Sequence, residues 1–399
     1  MSESRAAGPR TEIPVVVEAI VDVDVVVGTL DAPQPAPESA VKTQQSLWAV
    51  VFAGGIGTRF WPLSTSQRPK QLLALVNERP LIADTVARLS PLIPAERVLV
   101  VTSADIAEAL HKAIPEIPTA NMLVEPRPLG TAAALAWAAS EIGKRAGPDT
   151  VFVALHADLA TGFPDVFRDT VRRAATVASA RAMLVAIGAP PTRTETGFGY
   201  MQPGSPLDAM AGRKEGGAFR VDHFVEKPTA TLADTLIDAG ALWNTGVFVA
   251  RAKVVLEEIE AHTGELSHGL EALRAGDMIR FAELVTSVSI DRGLFERTRN
   301  LAVMIGEFGW DDVGTWAALR RVRELDDTGN GVMGEAHCID ASGNVIHADG
   351  CRVVAYGISG MLVVSLQGLT FVTTLERATE LGPLLGALPG SLRSNPLGL

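Results

Sequence analysis

Trp48-Ala49-Val50-Val51-Phe52-Ala53-Gly54-Gly55-Ile56-Gly57-Thr58-Arg59 is the stretch whose reading decides the fold. Its first six residues are an unbroken apolar run, the pattern of a strand buried on both faces. The run passes without a break into glycines. Glycines remove Cβ atoms, so backbone N–H groups can approach phosphate oxygens closely. Thr58 adds a hydroxyl donor. Arg59, and Lys70 in the following Arg68-Pro69-Lys70-Gln71-Leu72, supply fixed positive charge, one as a planar fork and one as a point charge. No Gly-Lys-Ser/Thr closes the loop, so it is not a Walker A loop, and the spacing is not G-x-G-x-x-G. Taken alone, Gly-Gly-x-Gly after a strand fits a plain tight turn equally well.

Working outward, the apolar runs at 98–101, 151–155 and 183–187 read as further buried strands, and 122–124 as a shorter one. Helical patterns lie between them near 81–92, 131–145 and 165–180. Strands alternating with helices predict an α/β fold: a Rossmann-like mixed, mostly parallel sheet flanked by helices, with functional residues just after strand ends. From about Gly329 the glycines recur, helix signals vanish and short β runs appear, which predicts a small β-rich C-terminal domain over 329–399. Residues 376–388 read as a closing helix, and no tandem repeat stands out. The nucleotide-handling domain is expected over 47–328. Residues 1–46, with Ala32-Pro33-Gln34-Pro35-Ala36-Pro37, read as a partly disordered leader.

Composition narrows the function classes. The 399 residues are 47% hydrophobic, enough for a large core, and carry a formal net charge of −11. An acidic chain argues against nucleic-acid binding, which needs a basic surface, but a nucleotide needs only a local positive cluster. No apolar run approaches the roughly 20 residues of a membrane span. The valine-rich run 15–27 is broken by acids and reads as an extended arm or strand. No signal-peptide pattern is read at the start. Two cysteines, Cys338 and Cys351, form neither a disulfide framework nor a zinc spacing, and a cytoplasmic protein is expected.

From Gly54 to Gln71 the sequence resembles the sugar-nucleotide pyrophosphorylase superfamily. The continuation Phe60-Trp61-Pro62-Leu63-Ser64 with Pro69-Lys70-Gln71 is similar to its mannose-1-phosphate guanylyltransferase branch. The resemblance implies that Gly54, Gly55, Gly57 and Thr58 hold a triphosphate, and that Arg59 and Lys70 stabilise charge on the α-phosphate and the leaving pyrophosphate.

Glu125-Pro126-Arg127-Pro128-Leu129-Gly130-Thr131 follows a strand and opens a helix. A carboxylate can accept two hydrogen bonds from guanine N1–H and N2–H₂, where uracil and thymine offer one donor. Glu125 is thus a candidate guanine reader, with Gly130 admitting the base to the backbone. The alternative is a solvated acid favoured by a helix N-terminus. The guanylyltransferases usually continue with an Arg-Asn-Thr-Ala-Pro type of run, from which residues 127–133 depart.

Strand 151–155 ends in His156-Ala157-Asp158. The family places a magnesium-binding aspartate here, usually in a Pro-x-Asp-His setting. Asp158 matches the aspartate, while His156 and Leu159 replace the proline and the histidine. The alternative is a turn or helix-capping aspartate. In Phe308-Gly309-Trp310-Asp311-Asp312-Val313-Gly314-Thr315-Trp316, Asp312 matches the second metal position and Asp311 reads as structural. Magnesium takes one or two carboxylates and keeps waters or phosphates, which two aspartates suit. The lack of a His/Cys cluster argues against zinc.

Three further runs match in order. Gly197-Phe198-Gly199-Tyr200 offers close backbone approach through Gly199. In Glu226-Lys227-Pro228 the resemblance implies that Glu226 bonds sugar hydroxyls and Lys227 the sugar phosphate. In Trp243-Asn244-Thr245-Gly246 the resemblance implies that Asn244 faces the sugar. An isolated Glu-Lys-Pro would be a surface turn; its place between the other two runs gives it meaning. Residues 289–298 read as architectural, with Asp291 a candidate pocket member. His111, His223, His262, His268, His337 and His347 read as surface or packing residues.

The resemblance as a whole implies GTP and α-mannose 1-phosphate as substrates, giving GDP-mannose and pyrophosphate with Mg²⁺. Two alternatives stay open. One is an enzyme using glucose 1-phosphate with UTP or dTTP, against which the Trp310–Trp316 run argues. The other is a non-catalytic nucleotide-sugar-binding regulatory relative, against which Arg59, Lys70, Asp158 and Asp312 argue. Strand edges in the C-terminal domain leave homo-oligomerisation open.

Overall fold

The computed structural model describes residues 47–55, 58–65, 68–207, 217–394 and 396. The expected leader over 1–46 and Gly57 lie outside these residues, and of Thr58 only the backbone is described.

In chain order the strands are β1 (Trp48–Phe52), β2 (Val98–Ser103), β3 (Met122–Glu125), β4 (Val151–His156), β5 (Leu159–Thr161), β6 (Leu184–Ala189), β7 (Gly199–Pro206), β8 (Ala218–Glu226), β9 (Leu242–Arg251), β10 (Leu301–Ile305) and β11 (Trp310–Asp312). Nine of them form one sheet in the order β3-β2-β1-β4-β9-β6-β10-β8-β7. Within it only β8 and β9 run against the others, so the sheet is mixed and mostly parallel, as expected.

Side-chain alternation between two cores explains why β1 and the leading residues of β2 and β4 are apolar. Val50 and Phe52 point into one core with helices α3 (Thr131–Ala146) and α6 (Ala252–His262). Ala49 and Val51 point into the other, with α1 (Leu81–Leu89), α2 (Ala104–Ala113) and α4 (Pro164–Arg181). Helix α5 (Ala230–Asp238) flanks β7. Phe152 and Val153 on adjacent positions of β4 are both fully buried, on opposite faces. Each such side chain contributes about 1.5–3 kcal/mol. No helix among the described residues is long and apolar enough to cross a membrane.

Two short strands stand apart from the sheet. β5 and β11 pair antiparallel, with Asp312 opposite Leu159. The residue next to Leu159 is Asp158, so a two-stranded ribbon holds both candidate metal aspartates close together.

The C-terminal strands are β12 (Gly331–Ile339), β13 (Val345–Tyr356), β14 (Met361–Leu366) and β15 (Leu369–Thr374). The first three lie side by side in parallel, and β15 returns antiparallel on β14. Their entry corners stack. The backbone and side-chain N–H groups of Asn344 donate to Asn330 Oδ1, both at 2.9 Å, and the Met361 N–H donates to Asn344 Oδ1 at 2.8 Å. Gly329, Gly343 and Gly360, each one residue before a corner, all have positive φ. This is a short repeat of turns, where the sequence reading finds none. The closing helix expected over 376–388 is also corrected. It is a 3-10 turn at Arg377–Thr379 followed by a short helix, Gly382–Ala387, that starts afresh at Gly382-Pro383.

This coil shares a core with the segment following the glycine loop. Phe60, Trp61, Leu63 and Leu73 pack with Val345, Leu362, Phe371 and Ala378. The indole of Trp316 donates to the Trp61 carbonyl at 3.0 Å and meets Phe60 edge-on at 5.3 Å. Arg323, only 6% exposed, ties the two parts further. Its guanidinium donates to the carbonyls of Leu75 at 2.7 Å, Gly331 at 3.3 Å and Ile346 at 3.1 Å. Burial pushes its pKa down to about 10. His347, 3.1 Å from the same guanidinium, is pushed down to about 3 by burial and then by Arg323 and Arg68. Arg323→Met keeps most of the stem but orphans the carbonyls. It should lower the unfolding free energy by about 3 kcal/mol, at roughly 1 kcal/mol per lost hydrogen bond. Urea unfolding measures this directly; a change under about 1 kcal/mol would show that the carbonyls find other partners.

Candidate active site

Strand β1 delivers its end to the carboxyl edge of the sheet between β2 and β4. The N–H of Ala53 still pairs with the Val101 carbonyl at 2.9 Å, and that of Ala157 with the Phe52 carbonyl at 2.9 Å. Beyond Ala53 the chain leaves the sheet. Gly54 and Gly55 are exposed, with open space where a side chain would stand, and Gly55 has φ +94°. The amide of Gln71 reaches back from a buried turn and donates to the carbonyls of Ala53 at 3.0 Å and Gly55 at 3.1 Å. Gln71 is quoted in the sequence motif without a role; the structure makes it the anchor of the glycine turn.

Lys70, beside it in the same turn, is only 9% exposed. Its ammonium lies 5.5 Å from the centre of the Phe60 ring and 2.7 Å from Asp158 Oδ2. Asp158 lies deep in the chain, yet a third of its side-chain surface opens onto a chamber. Its turn is clamped from behind by helix α1. The Thr85 hydroxyl donates to the Ala157 carbonyl at 3.0 Å, and Arg88 to the Leu159 carbonyl at 2.9 Å. Burial opposes charge on Asp158, but Lys70 and then His156 outweigh it and hold the carboxyl below the ordinary range. Asp312 shifts the other way. Burial pushes it up, Lys70 opposes this, and Asp158 and Asp311 push it further. A Cβ on Gly314 would lie 2.2 Å from Asp312 Oδ2, so glycine is required there for the carboxylate to keep its place.

These groups surround a cavity of about 390 Å³ lined by the glycine turn, Arg59, Lys70, Asp158 and Asp312. A second cavity, of about 240 Å³, shares Asp158 and Asp312 and continues to His156 and Thr245. A larger cavity of about 580 Å³ lies behind the β5–β11 ribbon among Arg88, Arg168 and Arg321. Neither Lys70 nor the glycine turn reaches it, so size does not mark the chemistry here. Among the described residues no group of three His, Cys, Asp or Glu is arranged to hold a metal. Asp158 and Asp312 remain a pair of hard oxygen donors, which suits a divalent cation whose other positions are filled by water or phosphate.

The residues assigned to the sugar by sequence come together on β7, β8 and β9. Gly199 lies opposite Glu226, and a Cβ on it would meet Glu226 Oε2 at 2.8 Å and Asn244 Cβ at 3.3 Å. Asn244 donates to Asp291 Oδ1 at 3.0 Å and accepts the Gly246 N–H at 3.1 Å. Lys227, at φ +51°, pairs with Glu226 Oε1 at 2.6 Å. Burial, then the Glu226 charge, pushes the Asp291 carboxyl up. Asp291 thus joins the cluster.

A glycine turn, a buried lysine and paired aspartates opening onto a second polar cluster form a surface for anionic ligands. Residues 48–328 match the family model described as "Nucleotidyl transferase". The chain belongs to the nucleotidyl transferase family. A mannose-1-phosphate guanylyltransferase of Sinorhizobium fredii is 32% identical over 369 residues, 88% of this chain and 70% of that one. Mannose-1-phosphate guanylyltransferase 2 of Escherichia coli O157:H7 is 31% identical, over 82% and 70%. A crystal structure described as mannose-1-phosphate geranyltransferase from Thermus thermophilus aligns with TM-score 0.76 at 33% identity, over 86% of this chain and 98% of that one.

The remaining motif residues of this nucleotidyl transferase have their own surroundings. Glu125 ends β3, where burial raises its pKa to about 7 against a hydrogen bond from the Leu129 backbone. Its Oε1 is buried with no partner among the described residues. Gly130, assigned by sequence to the base, has an internal reason to be glycine. At φ +83°, its Cβ would fall 2.5 Å from the Val288 carbonyl oxygen. Arg127 is turned away to the carbonyls of Ala282 and Val285. Asp311 is held by Arg193 at 3.2 Å and Arg321 at 2.5 Å. The residue most clearly missed is His156. Its only signal is that it breaks the family pattern, and the structure puts it between the two clusters.

Proposed function

We propose that this nucleotidyl transferase moves GMP from GTP to α-mannose 1-phosphate, forming GDP-mannose and releasing pyrophosphate. The observation that carries the reading is the junction of two cavities at Asp158 and Asp312, with the glycine turn and Lys70 on one side and the Glu226–Asn244–Asp291 cluster beyond the other. The names of the relatives support guanine and mannose. The backbone of the glycine turn holds the triphosphate. Arg59 and Lys70 stabilise charge on the α-phosphate and on the departing pyrophosphate. The sugar phosphate is an anionic nucleophile, so the protein's task is to align it for in-line attack. Asp158 and Asp312 would hold magnesium, which when bound neutralises phosphate charge. The free cysteines, Cys338 and Cys351, support a cytoplasmic setting.

The test is pyrophosphate release from purified protein with magnesium, crossing GTP, UTP, dTTP and ATP against mannose, glucose and N-acetylglucosamine 1-phosphates. Release confined to GTP with mannose 1-phosphate is expected. Release with another pair overturns the specificity, and none with any pair overturns the reaction.

Glu125 is the guanine reader in this reading, because its unpartnered buried oxygen suits the donors on the guanine edge. The sign of its pH dependence follows from a carboxyl raised to about 7. The ionised form accepts the guanine donors, and it is lost as pH falls through that value. The KM for GTP should rise about tenfold between about pH 8 and pH 6, following the ionised fraction. Glu125→Gln, which does not titrate, should lose this dependence relative to wild type. Parallel pH profiles for the two proteins would remove Glu125 from base recognition.

A further inference from the structure

His156 lies where the two clusters meet. It ends β4, two residues before Asp158, and lines the second cavity with Thr245, Asp158 and Asp312. Its ring is held in place from two sides. Phe52 packs against it at 5.6 Å between centroids. On β9, Gly246 has φ +71°, and a Cβ there would stand 3.0 Å from His156 Cδ2. A side chain there would crowd the imidazole, and the positive φ independently favours glycine, so β9 leaves the ring its space. Among the described residues no hydrogen bond is made by its ring nitrogens, and the immobilised imidazole lines the cavity.

The surroundings say what that imidazole is for. The His156 side chain is near enough to both Asp158 and Asp291 to bear on each electrostatically. One belongs to the phosphate chamber and the other to the Glu226–Asn244 cluster. A sugar 1-phosphate with its sugar on that cluster must present its phosphate between them. That passage is rich in carboxylates: Asp158, Asp312, Asp291 and Glu226. The nearby ammonium of Lys227 is already engaged by Glu226 at 2.6 Å. With magnesium on Asp158 and Asp312, the carboxylates of Asp291 and Glu226 still face an entering phosphate, and a further donor there would steady it.

We propose that His156 contacts the substrate, donating an imidazole N–H to the phosphate of the sugar 1-phosphate and aiming it at the α-phosphate. This rests on the reaction proposed above. In that step a sugar-phosphate oxygen bonds to the α-phosphorus as its bond to the pyrophosphate oxygen breaks. The electron pair leaves with pyrophosphate, and His156 keeps its proton. His156 lines the second cavity and not the one bounded by the glycine turn and Lys70, so losing it should weigh mainly on the sugar phosphate.

The test is initial-rate kinetics on wild type, His156→Ala and His156→Gln, varying mannose 1-phosphate and GTP separately. His156→Ala should raise the KM for mannose 1-phosphate about tenfold, the size expected for a hydrogen bond to a charged group, and leave that for GTP unchanged. His156→Gln, which keeps an N–H donor, should recover most of the loss. An unchanged sugar-phosphate KM in His156→Ala overturns the proposal. So does a glutamine variant no better than alanine, which would mark a packing role against Phe52 and Gly246. Inactive wild type sinks the reaction itself, and His156 with it; active wild type with an unshifted alanine variant sinks His156 alone.

Discussion

Lys70→Ala should lower kcat for pyrophosphate release by about 10³-fold, the scale seen when a preorganised donor to developing charge is removed. Lys70 is buried, braced over Phe60 and set 2.7 Å from Asp158, so its charge needs no rearrangement to act on the α-phosphate. Lys70→Arg should not rescue the rate, because a planar guanidinium does not fit a turn packed around an ammonium. The variant should also be less stable. Asp158 is held below the ordinary carboxylate range, so its stabilising effect is full above about pH 4 and is lost as pH falls through the folded-state value. The stability gap between wild type and Lys70→Ala should therefore narrow on acidification. A variant within tenfold of the wild-type rate would take Lys70 out of the chemistry.

Asp158→Ala and Asp312→Ala should each reduce turnover by about 10³-fold and raise the magnesium concentration needed for half-maximal rate more than tenfold. The second readout separates them from Lys70→Ala, which removes no oxygen donor. Calorimetric titration of magnesium into the GTP complex gives a measure independent of turnover. Asp311→Asn is the internal control. Both Asp311 oxygens are occupied by Arg193 and Arg321, so that change should affect stability and leave the magnesium requirement alone. A metal requirement unchanged in Asp158→Ala or Asp312→Ala would remove that residue from the site.

The fold was readable where burial is simple. β1, β2 and β4 are covered on both faces, so each opens on a short apolar run, rich in β-branched residues and too short for a helix. Patterns that depend on partners far along the chain were harder to see. β8 is part-exposed and alternates irregularly, because β7 pairs with it through bulges. The stacked corners at Asn330, Asn344 and Met361 are separated by 14 and then 17 residues, and only two of the three carry asparagine. A repeat that short and uneven is visible only once the hydrogen bonds are drawn. In the site, motif residues such as Asp158 and Glu226 stand at or just past strand ends. The surroundings of Gln71, Gly130 and His156 are not legible in the sequence, since each faces partners across the fold: two loop carbonyls, the Val288 backbone, and Gly246.

The β5–β11 ribbon bears on how this chain can change over time. The separation of Asp158 and Asp312 is set by main-chain pairing between Leu159 and Asp312, and by Thr85 and Arg88 bracing carbonyls from behind. Side chains at the neighbouring positions do not set it. His156 and Leu159, which stand where the resembled family has proline and histidine, are thus compatible with carboxylates held together by main-chain pairing. Substrate preference can drift at these flanking positions while the reaction itself is kept, which makes them the natural places to begin directed evolution toward other sugar phosphates.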